Sequence, residues 1–332
     1  MKTRSVMVQT LCVPCSNHCR YCLLSWDGML RGADYARSER YAAAFHTWMK
    51  RNRPDLSFSF SFGYSMEHPA LFQAIDFMRS IGSPGGEFLQ MDGMRMRNDE
   101  QLRQLMEGLR DHGVKALNFT FYGTEAYHDC FSGRKGDFHL LMRSVEKALS
   151  AGLQVSAGIP VTQENALQAD TLLTMLHEAE IQECRFFIPH EEGRGTALHD
   201  VRCKAEDLSL WSEAALSRLN RNVYRTEAEW IRDHPALPEN RMLILSLRKD
   251  NIEHFEKTDF ASAIRELEAL DEEYYAALPS FSELAERFGN PQSSELFSLR
   301  DLQMRYHRKY ITEQKLSLYD LTDESICSSR RY

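Results

Sequence analysis

Apolar positions follow two alternating spacings through about the first 220 residues. Short runs rich in β-branched and aromatic residues predict strands at 5–11, 56–62, 87–91, 114–121, 153–160 and 184–188. Between them, apolar residues recur at helical spacing, predicting helices at 36–50, 70–81, 99–112, 138–151 and 166–179, and another after Lys204. Repetition of one strand–helix unit six times predicts an α/β fold with a parallel sheet, either wound or closed into an open barrel. Right-handed crossovers place the carboxyl ends of all the strands on one face, so chemistry is expected in the loops that follow them.

Beyond residue 200 the pattern changes. Helical spacing dominates at 260–277, 281–288 and 299–311, and one apolar run at 242–247 is a candidate seventh strand. Ile264, Leu267, Leu270 and Tyr274 fall on one helical face, as a brace packed on an open barrel requires. The predicted organisation is therefore an α/β core over 1–200 and a mostly helical extension over 201–332.

Composition narrows the function classes. With 43% hydrophobic and 27% charged residues, the 332-residue chain is neither a disordered segment nor a coiled coil. A formal charge of −8 with scattered basic residues disfavours nucleic acid as a partner. No apolar stretch approaches the length of a membrane span, and the first apolar run is broken at Gln9 and Thr10 before a signal-peptide core could form. A cytoplasmic location is expected, where clustered thiols serve as metal ligands or catalysts more often than as disulfides.

Four of the eight cysteines, Cys12, Cys15, Cys19 and Cys22, lie directly after the first predicted strand. So tight a thiolate loop suits an iron–sulfur cluster, whose irons each need a nearby soft ligand. Structural zinc sites usually separate two ligand pairs by a long spacer, which is missing here. A four-thiolate electron carrier is the other reading of the same residues, although a full α/β chain is more protein than electron transfer requires.

The spacing Cys15-x3-Cys19-x2-Cys22, with Tyr21 before the last cysteine, resembles the signature of the radical SAM (S-adenosylmethionine) enzymes. Other stations agree in order. Phe62-Gly63-Tyr64-Ser65-Met66-Glu67-His68-Pro69 stands where that family carries a Gly-Gly-Glu-Pro-type turn, with Tyr64 in place of its acidic residue. Met91-Asp92-Gly93 resembles the Thr-Asn-Gly turn, and Thr120-Phe121-Tyr122-Gly123 the Ser-Leu-Asp-Gly turn. Tyr127-His128-Asp129, Gly133-Arg134-Lys135-Gly136, Asn165 and the stretch 189–195 match later stations. The resemblance covers roughly residues 5–200 and is nearest to the branch of viperin, the molybdopterin-precursor cyclases and the peptide maturases.

That resemblance implies a partial (β/α)6 barrel and an enzyme with one 4Fe–4S cluster. Cys15, Cys19 and Cys22 would hold three irons and leave the fourth open to S-adenosylmethionine. Reductive cleavage would give a 5′-deoxyadenosyl radical that abstracts hydrogen from an unidentified peptide or small-molecule substrate. An external one-electron donor such as flavodoxin or ferredoxin is implied too. Gly63 and Tyr64 would lie against the methionyl amine, Arg134 would bind its carboxylate, and Thr120 would offer a hydroxyl. Asp92 and Asn165 would meet the ribose hydroxyls or the amino group, and Pro189 the adenine. A non-catalytic iron–sulfur carrier or redox sensor on the same scaffold is the alternative. No cysteine-rich auxiliary module is expected, because only Cys203 and Cys327 follow residue 200.

Overall fold

The computed structural model describes residues 2–10, 15–22, 32–63, 66–191, 193–233 and 240–318. In chain order the first part comprises β1 (Lys2–Thr10), α1 (Tyr35–Asn52), β2 (Ser57–Ser61), α2 (Leu71–Ser80), β3 (Phe88–Gln90) and α3 (Asp99–Asp111). It continues with β4 (Ala116–Thr120), α4 (Glu125–Ser132), α5 (Asp137–Ser150), β5 (Gln154–Pro160), α6 (Ala169–Glu178) and β6 (Glu183–Phe187). All six predicted strands form. The unpredicted helix α4 occupies the motif Tyr127-His128-Asp129, too short a segment for its periodicity to register.

β1 to β6 run parallel within their ladders, as the alternation predicts, but they form two ladders rather than one continuous six-stranded sheet. One orders as β3-β4-β5-β6, and the other places β1 between β2 and a strand from the extension. At the seam between β2 and β3, the Ser83 hydroxyl donates to the Phe60 carbonyl at 2.8 Å and accepts from its N–H at 3.2 Å. One buried hydroxyl thus satisfies backbone groups that a continuous ladder would have paired.

The extension comprises α7 (Glu213–Leu216), β7 (Arg225–Thr226), α8 (Glu227–Asp233), β8 (Asn240–Leu247), α9 (Ile252–Lys257), α10 (Phe260–Ala276), α11 (Phe281–Phe288), β9 (Leu296–Phe297) and α12 (Leu299–Gln314). β8 is the strand expected at 242–247. It pairs parallel to β1 from Lys2↔Asn240 to Thr10↔Leu247, so the extension contributes to the sheet itself. On α10, Ile264, Leu267 and Tyr274 are buried and Leu270 packs against the main core.

The two faces of the strands differ in chemistry. Val6, Val8, Phe60, Leu117, Phe119, Val155, Phe186 and Leu245 join the helices in one core. Several alternate positions are polar: Gln9 donates to Ser246 at 2.5 Å, and Gln90, Asn118 and Ser156 stand side by side on β3, β4 and β5. The Asn118 amide donates to Gln90 Oε1 at 2.8 Å, and the Ser156 hydroxyl donates to Asn118 Oδ1 at 2.9 Å. An apolar layer therefore fixes the strands to their helices while the other face keeps a polar lining that leads toward the carboxyl ends.

Candidate functional site

Residues 15–22 lie across those carboxyl ends, held by backbone hydrogen bonds. Ser16 N–H donates to the Gly93 carbonyl at 2.9 Å, His18 N–H to Ser132 at 2.7 Å and Arg20 N–H to Phe131 at 3.0 Å. Within the loop, Cys22 N–H donates to the Cys19 carbonyl at 3.2 Å, and the Cys22 carbonyl accepts from Arg194 N–H at 3.0 Å. Segments after β3, α4 and β6, far apart in sequence, thus set the course of one loop. Cys12, Tyr64 and Glu192 lie outside the described residues.

Gly93 explains how the loop approaches so closely. Its φ is +72°, and a β-carbon there would stand 1.9 Å from Cys15 Sγ. Any other residue would be strained in backbone and would displace the sulfur. Gly195 is constrained comparably, since a β-carbon there would meet the His190 carbonyl oxygen at 2.1 Å.

Cys15, Cys19 and Cys22 are not disulfide-bonded; Cys19 is buried and the other two are half-buried. Burial pushes the Cys15 thiol up to about 11 and Cys19 higher still, with the neighbouring cysteines adding repulsion. Cys15 and Cys19 are therefore neutral thiols until a bound cation displaces their protons. Cys19 Sγ lies 3.0 Å from the Tyr122 hydroxyl, which moderates the rise. Tyr21 meets Tyr122 edge-on at 5.6 Å, and Tyr122 stacks on Phe131 at 4.8 Å, so aromatic rings wall this end of the loop.

Asp92 follows β3 beside these thiols. Burial pushes its carboxyl up to about 6, against hydrogen bonds from Thr120 N–H at 2.9 Å, the Thr120 hydroxyl at 2.6 Å and the Gln90 amide at 2.5 Å. Arg134 bonds the Met94 carbonyl and Asp137, yet its buried Nε has no hydrogen-bond partner among the described residues. Asn17 shows the converse: its amide donates to Asp137 at 2.8 Å, while its buried Oδ1 has no partner among the described residues. A donor and an acceptor are thus left unsatisfied beside the cysteine loop, as an amino-acid-like ligand would require.

The structure brings Cys15, Cys19, Asp92, Thr120 and Arg134 together at the ends of β3 and β4. Asn165 braces this region from the next strand: its amide donates to the Tyr122 carbonyl at 2.6 Å and the Pro160 carbonyl at 2.8 Å, and its oxygen accepts from Thr162 N–H at 2.8 Å. These three bonds go to backbone and a fourth comes from the Thr162 hydroxyl at 3.4 Å, so Asn165 shapes a loop in this structure. Gly63 follows β2 with φ +74°, and the buried Pro189 follows β6, its carbonyl accepting from Arg202 at 3.3 Å. Among the described residues, neither is hydrogen-bonded to residues 15–22.

Sequence reasoning missed Asn17 and Asp137. Asp137 is fully buried, bonded by Asn17, Arg134 and, at 3.3 Å, His128. An Asp at the start of a helix reads as a solvated cap, and nothing local announces a partner 120 residues away. The one available signal was the pair of glycines at Gly133 and Gly136, which hold Arg134 and Asp137 within one short turn.

Among the described residues no three His, Cys, Asp or Glu side chains are gathered to hold a metal ion. The donor chemistry fits an iron–sulfur cluster nonetheless, because its thiolates bind separate irons and need not meet at one point.

No protein-family model and no curated protein matches the chain. Its course is similar to several solved structures. Coproporphyrinogen III oxidase (HemN) from Escherichia coli, described as a radical SAM enzyme, is 10% identical with TM-score 0.47 over 92% of this chain and 89% of that one. Native anSMEcpe with bound AdoMet is 13% identical with TM-score 0.48 over 93% and 97%. SuiB from Streptococcus suis is 12% identical with TM-score 0.45 over 73% of this chain and 50% of that one. The chain thus spans about half the length of SuiB, and 57% of anSMEcpe in its complex with the Kp18Cys peptide.

Proposed function

We propose that this chain is a radical SAM enzyme in which Cys15, Cys19 and Cys22 hold one 4Fe–4S cluster and the remaining iron takes S-adenosylmethionine. The observation that carries the reading is the cysteine loop fixed over the carboxyl ends of parallel strands, with the absent β-carbon of Gly93 making room for Cys15 Sγ. When bound, the cluster and S-adenosylmethionine supply one-electron cleavage of a carbon–sulfur bond, with the electron coming from a flavodoxin or ferredoxin, and hence a 5′-deoxyadenosyl radical able to take hydrogen from substrate.

The chain's own residues bind, orient and exclude water. The free Nε of Arg134 suits a methionyl carboxylate and the free Oδ1 of Asn17 its amine, both already steered by Asp137. Asp92 and Thr120 present a polar edge to the ribose, with burial pushing the Asp92 carboxyl up to about 6. Gly63 allows backbone to approach the ligand, and the turn at Pro189 offers an apolar surface to adenine. Tyr21, Tyr122 and Phe131 keep water from the Cys19 side of the loop. The substrate is a peptide or small molecule.

Anaerobic reconstitution with iron and sulfide, reduction, and assay for 5′-deoxyadenosine test the proposal. Formation of 5′-deoxyadenosine dependent on Cys15, Cys19 and Cys22 is expected. A loaded, reducible cluster that never cleaves S-adenosylmethionine would instead favour the carrier or redox sensor.

A further inference from the structure

The polar face of β3 to β6 opens into a cavity of about 1350 Å³. This exceeds the roughly 300–1,000 Å³ of ordinary small-molecule pockets. Its wall reaches the cysteine loop: Phe187, at the end of β6, lines the cavity and meets the Tyr21 ring at a centroid distance of 6.1 Å. Asn118 and Ser156 line it as well, and the chain of hydrogen bonds from Ser156 through Asn118 and Gln90 ends on Asp92. The cavity thus adjoins the site where S-adenosylmethionine is proposed.

Its charge is opposite to that of the chain. Arg185, Arg218 and Arg221 line the cavity against a single acid, Glu183, in a protein whose formal charge is −8. Arg221 is already engaged, donating to the Tyr224 carbonyl at 2.8 Å and lying 3.6 Å from Glu229. The guanidinium groups of Arg185 and Arg218 have no hydrogen-bond or ion-pair partner among the described residues. Phe88 and Val223, two large apolar side chains that are 48% and 41% exposed, line other parts of the same cavity. Surface arginines on this chain commonly find carboxylates, as Arg103, Arg143 and Arg287 do. Two that face a shared cavity without one leave a positive potential there, which a cleft concentrates.

We infer that this cavity is the substrate chamber and that its occupant is an anion, bearing a carboxylate or phosphate held by Arg185 and Arg218, with an apolar portion lying against Phe88 and Val223. The chamber assignment rests on the proposed function; the anion site rests on the arginines alone. A planar guanidinium suits either group, since both accept paired hydrogen bonds.

Calorimetric titration of the full reconstituted chain with citrate and, separately, pyrophosphate tests the inference and distinguishes the two anion chemistries. Saturable binding of one probe at one site is expected, weakened by added salt. Arg185→Gln and Arg218→Gln should each weaken it about tenfold, the scale of one charge-assisted hydrogen bond. Arg185→Lys and Arg218→Lys keep the charge and should bind more tightly than the Gln variants, which separates loss of a contact from loss of fold. Absence of saturable binding by either probe, or unchanged affinity in the double Gln variant, would overturn the inference. Arginine-dependent binding supports the anion site whether or not 5′-deoxyadenosine is formed, so failure of that assay bears on the cofactor reading alone.

Discussion

The Tyr122 hydroxyl stands 3.0 Å from Cys19 Sγ, and the backbone holds it there from both sides. Tyr122 N–H donates to His128 Nδ1 at 3.1 Å, and its carbonyl accepts from Asn165. Because Nδ1 accepts, the His128 proton sits on Nε2, facing Asp137 at 3.3 Å. The buried carboxylate that gathers Asn17 and Arg134 thereby also fixes the tyrosine at the thiol.

A hydrogen bond donated to a cluster ligand favours the reduced, more negative state. Tyr122→Phe should therefore retain iron but lower the cluster potential by roughly 20 to 60 mV, the equivalent of one net hydrogen bond. A redox titration followed by spin resonance measures the shift, and an unchanged potential would show that Tyr122 only packs.

Gly93→Ala places a β-carbon 1.9 Å from Cys15 Sγ at a φ of +72°. About 1–3 kcal/mol of strain is expected. The larger effect should be on metal: iron bound after reconstitution should fall sharply while far-ultraviolet circular dichroism remains that of a folded α/β protein.

Arg134 serves two partners. Arg134→Ala leaves the buried Asp137 without its cation, which should cost about 3 kcal/mol or more in chemical denaturation. It also removes the free Nε, so S-adenosylmethionine should bind more weakly by roughly 1.5–3 kcal/mol. Arg134→Lys should recover more of the stability than of the cofactor affinity. Full affinity in a folded Ala variant would leave Arg134 a purely structural role.

Cluster stoichiometry should be about four irons per chain. Cys15→Ala, Cys19→Ala and Cys22→Ala should each abolish the cluster, whereas Cys12→Ala should retain it together with the spectral change caused by S-adenosylmethionine. A reproducible value near eight irons, lowered by mutating Cys203 or Cys327, would refute a single cluster.

Acid should loosen the extension first at Glu191. Burial raises the carboxyl, but the Arg305 guanidinium at 2.7 Å outweighs it and holds Glu191 below its ordinary value of 4.5. A depressed carboxyl stabilises the fold above about 4.5 and loses that contribution as the pH falls through its folded value. The thermal midpoint of the wild type should therefore fall more steeply below about pH 5 than that of Glu191→Gln. The variant should be less stable at neutral pH by about 1.5 kcal/mol, since Arg305 keeps its ion pair with Glu295 but loses this partner.

The sequence by itself determined the α/β alternation, the six strands, the candidate seventh and the cysteine loop after β1. These are local: apolar spacing specifies an element, and three thiols within eight residues are read directly off the chain. What covers β1 was decided only by tertiary structure, because an apolar run such as 242–247 does not say which strand edge it will join. The split between β2 and β3 was equally hidden, resting on one hydroxyl, that of Ser83, reaching Phe60. The site divides in the same way. Cys15, Cys19, Cys22, Gly93 and Arg134 could be named from motifs, but the meeting of Asn17 with Asp137 could not. Burial makes that carboxylate an organising group, and burial belongs to the packed molecule, not to any segment of its sequence.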